Sequence, residues 1–454
     1  MEPYGIDIYD LLLSPLYILL IYFYANHYKN LKYKQPGKEY YRYFLPALFC
    51  KIIGGISLCL IYTYYYTEGG DATNYYNTSC TLLNVFLDGN FRLFWGLFSA
   101  DPSAVAEVDA IGDYGYIFFN PHDNYAFFTV RLTLPFCFMA FRSFVPTTIL
   151  LASASFIGIW KLYEVFVAHF PQLYKGFAVA IFFVPSVFFW GSGIIKDTYT
   201  LSATGMYTYG VYQFLILKNR RIKYLLALVG CALIIIGIKP YIFFALAPGS
   251  IVWNYFHKLK RIKNPLLRVM TLPVILVLTG AVILLGLRFF GDYLGEYSLD
   301  NILIKAVKTQ QDLVRTQYGS NSYNIGKFDA TLVGISSKIP TAINMALFRP
   351  YIWDARNPVM FISGLENLFM LGFSIFILIR VKFAVLIRSL FDDPLLIFSF
   401  LFALFFAFSV GLTTANYGAL VRLKIPCIPF YLCSLFILYY INRESFRKRK
   451  RARK

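Results

Sequence analysis

PLLIFSFLFALFFAFSV, residues 394–410, contains no charged residue. Its length approaches the ~20 apolar residues that a helix needs to cross the hydrocarbon core of a bilayer. Arg380, Lys382 and Arg388 precede it, and Arg422 and Lys424 follow it across a short polar connection. Blocks of this kind, with charges at their ends, recur along the chain. Hydrophobic residues make up 58% of the 454 and charged residues 15%, which describes one polytopic membrane domain over residues 1–442 rather than several soluble ones.

Placing the Lys/Arg clusters on one side of the membrane fixes an all-α bundle of about eleven spans. These fall near 11–25, 44–66, 144–166, 176–191, 198–217, 224–238, 241–256, 269–289, 360–379, 394–410 and 425–441. The amino terminus is then outside and the carboxyl terminus inside. The clusters at 29–42, 218–223, 258–268 and 380–388 become cytoplasmic, as does the basic tail 443–454. The formal charge of +19 thus has the distribution expected beside anionic lipid rather than on a nucleic-acid surface. The stretch 126–141 is expected to be a half-membrane or interfacial helix on the outer side, since a full span there would invert later loops. Two long outer segments remain, about 67–143 and 290–359, and both are expected to carry interfacial helices, the first over 82–98. The acidic start MEPYGIDIYD lacks the basic region of a secretory signal, so the first apolar block is expected to stay as a span.

Seven cysteines lie mostly inside apolar stretches with no CxxC spacing, and four histidines are scattered. They read as core residues, with no disulfide frame and no metal site. No GxGxxG occurs, and residues 319–327 imitate a phosphate loop with the wrong spacing.

Ionisable groups near a bilayer interior cost about 2.5–3.5 kcal/mol on insertion scales and so mark function. Five segments deliver them to the expected outer face. YTYYYTEGGDATNYY (62–76) brings Asp71 after a Gly-Gly turn, followed by Tyr75 and Tyr76; a carboxylate there suits proton removal from an acceptor hydroxyl. FVPSVFFWGSGIIKDTYTLSA (183–203) breaks at Pro185 and at 191–193, placing Trp190, Lys196 and Asp197 around the start of a returning helix. A helix amino terminus with a lysine suits an anion such as phosphate. IIIGIKPYIFF (234–244) presents Lys239 before Pro240. ALFRPYIWDARNPVMFISGLENLFM (346–370) carries Arg349, whose planar fork suits phosphate, together with Trp353 and Glu366. LTTANYGALVRLKIPCIPF (412–430) supplies Asn416, Arg422 and Lys424. The first four also have a plainer reading. Asp71 would solvate a loop, Lys196 and Asp197 would satisfy each other, Lys239 would snorkel to headgroups, and Asp354 would pair with Arg356.

At these residues the chain resembles the polytopic glycosyltransferases of the GT-C superfamily and bacterial polysaccharide-polymerase-like proteins. GGDATNYY matches the acid that GT-C enzymes place in their first large outer loop. PSVFFWGSGIIKD, FRPYIWDARNP and NYGALVRLKIPCIPF are similar to segments of exopolysaccharide polymerase-type proteins. The likeness covers most of the chain through loose motifs. It departs from the family in that Asp71 follows the second span rather than the first, and no DE or ED pair stands there, which counts against a metal-assisted mechanism.

The resemblance implies glycan transfer or polymerisation at the outer face of a bacterial cytoplasmic membrane. The donor would be polyprenyl-(di)phosphate-linked, the acceptor a glycan or lipid, with no soluble cofactor. Asp71 would act on the acceptor; Lys196, Lys239, Arg349, Arg422 and Lys424 would hold the donor phosphate. Asp197, Glu366 and Asn416 would orient them, and Tyr75, Tyr76, Trp190 and Trp353 would contact sugar faces. The alternatives are a lipid-linked oligosaccharide flippase or other transporter, and a structural subunit of an envelope complex.

Overall fold

The computed structural model describes residues 6–66, 69–260, 323, 325–326, 331–356 and 358–452. Every helix or strand assigned among them is helical. The expected span 269–289, Glu68 and most of the second outer segment lie outside the described residues.

Five helices are long and apolar enough to cross a membrane: Ile8–Tyr33, Glu39–Tyr64, Phe144–His169, Pro358–Arg380 and Pro394–Thr413. The pair Tyr417–Leu423 and Ile428–Phe446, bent by 65°, makes a sixth if taken as one broken span. The protein is therefore a helical, multi-pass membrane protein. Four further expected spans are helical but shorter or less apolar. Residues 176–191 divide into Tyr174–Phe182 and Pro185–Trp190, because the ring of Pro185 cannot continue the preceding helix. Residues 198–217 form Lys196–Gly210, rich in threonine and tyrosine, ending in a π-helical turn at Val211–Ile216. Residues 224–238 and 241–256 lie within Ile222–Ile238 and Pro240–Lys260. The stretch 126–141 is the helix Asn124–Met139, with Pro135 inside it.

The chain folds as two compact units. The first comprises Met1–Leu162, Val187–Tyr207 and Val229–Lys239; the second comprises Tyr163–Ser186, Thr208–Leu228 and Pro240–Lys454. Helices are named α1 (Ile8–Tyr33), α2 (Phe44–Tyr64), α3 (Asp71–Leu87), α4 (Phe91–Ser99), α5 (Pro102–Ile111), α6 (Asn124–Met139), α7 (Phe144–His169), α8 (Tyr174–Phe182), α9 (Pro185–Trp190), α10 (Lys196–Gly210), α11 (Ile222–Ile238) and α12 (Pro240–Lys260). Beyond residue 330 they are α13 (Leu332–Ser336), α14 (Ile339–Phe348), α15 (Pro358–Arg380), α16 (Phe383–Asp392), α17 (Pro394–Thr413), α18 (Tyr417–Leu423) and α19 (Ile428–Ala452). The last helix runs on through the basic tail.

In lipid there is little hydrophobic force between helices, so close approach through small residues holds them together. In the first unit Gly54 and Gly55 of α2 face the backbone at Phe188 and Ser192, and Gly158 of α7 faces Ser202 of α10. A Cβ at Gly54 or Gly158 would overlap the opposing carbonyl, so no other residue fits without the helices parting. The start of α1 is pinned by Asp10, 3% exposed, which accepts from Val145 N at 2.7 Å and Ser143 Oγ at 2.8 Å. In the second unit α12 stacks Trp253 on Phe398 of α17 at 5.0 Å, and Phe430 of α19 packs edge-on against Phe402 at 4.8 Å.

Candidate functional site

Within the first unit, the turn before α10 decides where its charges stand. Gly54 and Gly55 sit near the middle of α2, and Gly193 packs on Leu58 of the same helix. At 1.5 Å per residue the carboxyl end of α2, Tyr64, lies about 15 Å beyond Gly54. The Gly-Ser-Gly turn therefore lies beside the middle of α2, whereas the sequence reading put it at the membrane face; the paired glycines of α2 leave the room that admits it. Lys51, 5% exposed and also in α2, donates to the Gly191 carbonyl that ends α9. Thr198 Oγ1 donates back to Gly193 O at 2.6 Å and closes the turn.

From that turn Lys196 and Asp197 diverge. Asp197 is fully buried and accepts from Lys239 Nζ at 2.5 Å, with the lysine side chain only 9% exposed. Two charges so enclosed neutralise each other, which makes Lys239 a poor ligand for any substrate. Lys196 goes the other way. Its Nζ lies 5.9 Å from the ring centroid of Tyr75 and 3.9 Å from Asp123 Oδ2, with 18% of its side chain exposed.

Asp71 opens α3 behind two glycines. Gly69 takes a φ of +80°, and a Cβ on Gly70 would lie 2.7 Å from Tyr62 Cε1. Tyr75, one turn along the same face, is 2% exposed and stacks on Phe119 at 4.6 Å. Thus the starts of α3, α6 and α10 contribute Asp71, Asp123 and Lys196 around Tyr75. Asp123 was not among the sequence candidates. Its signal is its place just before the apolar run 124–139: Oδ1 accepts from Ala126 N at 2.9 Å, and Oδ2 is the oxygen that meets the lysine. Tyr76 donates to Arg142 O at 2.6 Å and packs on Phe144, and Trp190, 9% exposed, packs edge-on against Phe189. Both stand in packing positions.

The second unit holds a separate polar network. Glu366, buried in α15, accepts from Ser186 N at 2.8 Å and Ser186 Oγ at 2.6 Å. Its neighbour Asn367 accepts from the fully buried Lys424 at 2.6 Å and donates to Pro350 O at 3.0 Å. Lys424 also donates to Arg349 O at 3.2 Å, so lysine and asparagine fasten the segment that carries Arg349. Arg349 Nη1 meets Tyr417 Oη at 2.6 Å and Asp354 Oδ2 at 3.4 Å, and its Cζ lies 4.7 Å from the Tyr351 ring centroid. The plainer sequence reading sets Asp354 against Arg356 instead. Arg349 Nε and the Tyr323 hydroxyl are buried and have no hydrogen-bond partner among the described residues. Burial pushes the Tyr323 phenol upward, so it stays protonated, and its ring lies 4.9 Å from that of Tyr417. Asn416 caps α18 by accepting from Gly418 N at 2.8 Å, Arg422 is half-buried, and Trp353 is 76% exposed beside Tyr351. Ser186, Tyr323, Asn367 and Tyr417 escaped the sequence reading because neutral polar residues are common in membrane helices and only their partners distinguish them.

No known protein family, characterised protein or solved structure matches this chain.

Proposed function

We propose that the protein transfers or polymerises a glycan at the outer face of a bacterial cytoplasmic membrane, taking the sugar from a polyprenyl-(di)phosphate carrier. The observation that supports this reading is the grouping of two carboxylates and one ammonium around Tyr75, at the starts of α3, α6 and α10. Asp71 removes the proton of the acceptor hydroxyl as its oxygen attacks the anomeric carbon. The bond from that carbon to the phosphate oxygen breaks with inversion, and Lys196 stabilises the charge on the departing phosphate. Asp123 holds Lys196 in place. Arg349 is the other cation that we assign to an oxyanion, on its unpartnered Nε. Lys239 and Lys424, enclosed by their own partners, are assigned to holding helices.

The test is a mass profile of lipid-linked glycans and surface polysaccharide from cells carrying the wild type, a deletion, or Asp71→Asn. Accumulation of one lipid-linked unit in both mutants is the expected result, and the size of that unit separates polymerase from single-sugar transferase. Unchanged profiles in both would remove the enzyme reading. A transporter is the second reading, favoured by α10 beginning beside the middle of α2 with a buried ion pair, as in discontinuous helices that line a transport path. Movement of a lipid-linked glycan across liposomes with no change in its mass would establish it.

A further inference from the structure

Cys80 and Cys137 are free thiols of different helices in the first unit, and hydrogen bonds on either side of Cys80 hold it against the end of α6 that carries Cys137. Tyr76, Cys80 and Asn84 recur every fourth residue along α3 and so form one stripe. Both outer members of the stripe bind Arg142: Tyr76 Oη donates to its carbonyl at 2.6 Å, and Asn84 Oδ1 accepts from its Nη1 at 2.8 Å. Arg142 N in turn donates to Cys137 O at 2.9 Å. Cys80 is thereby bracketed against the carboxyl end of α6, the end that carries Cys137. One residue earlier, Ser79 Oγ reaches Val130 O at 3.2 Å, which fixes the same two helices a second time. Cys80 is partly exposed, while Cys137 is fully buried.

We propose that Cys80 and Cys137 are a dithiol modification site, oxidised by thiol–disulfide exchange to a bond that staples α3 to α6. Cys80, the exposed member, attacks one sulfur of a disulfide oxidant and expels a thiolate, leaving a mixed disulfide. Cys137 then attacks the Cys80 sulfur and expels the second thiolate. One sulfur–sulfur bond breaks and one forms, two electrons pass to the oxidant, and the two protons of the cysteines go to its thiolates. An outward-facing location exposes thiols to oxidising conditions. The sequence reading took both residues as packing, because nothing in their spacing of 57 positions signals a pair.

The full-length protein in detergent is incubated with oxidised glutathione, or with dithiothreitol as the reduced reference, then denatured in N-ethylmaleimide, digested and mapped by mass spectrometry. A linked peptide pair joining Cys80 to Cys137 is expected after oxidation, with both cysteines alkylated after reduction. Glutathione retained on Cys80 without a link, or both cysteines alkylated in the oxidised sample, would overturn the proposal. A Cys137→Ser variant should retain glutathione on Cys80 that the wild type resolves. Equal retention in the two would also overturn it. These outcomes are independent of whether the protein transfers a glycan.

Discussion

Replacing Lys239 by Met removes the ammonium that meets Asp197 at 2.5 Å, where the carboxylate has no solvent exposure. Breaking a buried pair by removing one partner costs about 3–5 kcal/mol, most of it the penalty of the stranded charge. In a unit of roughly this size, each kcal/mol moves the unfolding midpoint by about 2–4 °C, so Lys239→Met should lower it by about 6–20 °C. Replacing both residues, as Asp197→Leu with Lys239→Met, removes the stranded charge with the pair and should recover most of that loss. Thermal unfolding of the detergent-purified protein, followed by intrinsic fluorescence, measures all of the variants, including Asp197→Leu alone. If the double variant unfolds as early as Lys239→Met, the two side chains are not energetically coupled. A wild-type midpoint for Lys239→Met would show that Lys239 is not the charge that keeps Asp197 buried. Either result would refute the argument that the pair holds α10 against the lysine before α12.

Gly158→Val puts a branched Cβ where the Ser202 carbonyl of α10 lies, and should destabilise the protein by ~3 kcal/mol or more, as overpacking does; a wild-type melting curve would show that the two helices can part at no cost. Arg349→Lys loses the planar fork and the bond to Tyr417, and should weaken binding of a polyprenyl monophosphate by about 10–100-fold, the worth of one or two hydrogen bonds to a charged group. Equal binding, measured by calorimetry in detergent, would take the oxyanion role from Arg349.

Much of the fold is legible in the sequence because length and hydropathy alone define a span. The blocks near 11–25, 44–66, 144–166, 360–379 and 394–410 each reappear inside one long apolar helix. The block near 425–441 reappears in a helix that continues a bent pair, since Pro426 follows Lys424 and stops α18. Less legible is the depth of a break. The Gly-Ser-Gly turn at 191–193 reads as a surface turn until Gly54 and Gly55 are seen to face it, and contact between segments some 140 residues apart leaves no local pattern. The same holds for Lys51, a single lysine in an apolar block, which matters only because it meets Gly191. Of the site, Asp71, Tyr75 and Lys196 could be picked out by charge and turn chemistry, but Asp123 went unremarked, because an Asp just before an apolar run is common to many helix starts.

The turn beside the middle of α2 also bears on how the chain enters the membrane. Thr198, Thr200, Thr204 and Thr208 of α10 are all buried without exposure, on a helix too polar to dissolve readily in lipid by itself. A segment of this kind is tolerated at membrane depth when protein, not hydrocarbon, surrounds it. The slots that receive it are Gly54 and Gly55 on α2, which face the turn leading into it, and Gly158 on α7, and the ribosome makes both of those helices first. Synthesis order thus supplies a host for a guest that could not settle alone, and moving α10 ahead of α2 and α7 in a circularly rearranged gene would strand it outside the bilayer.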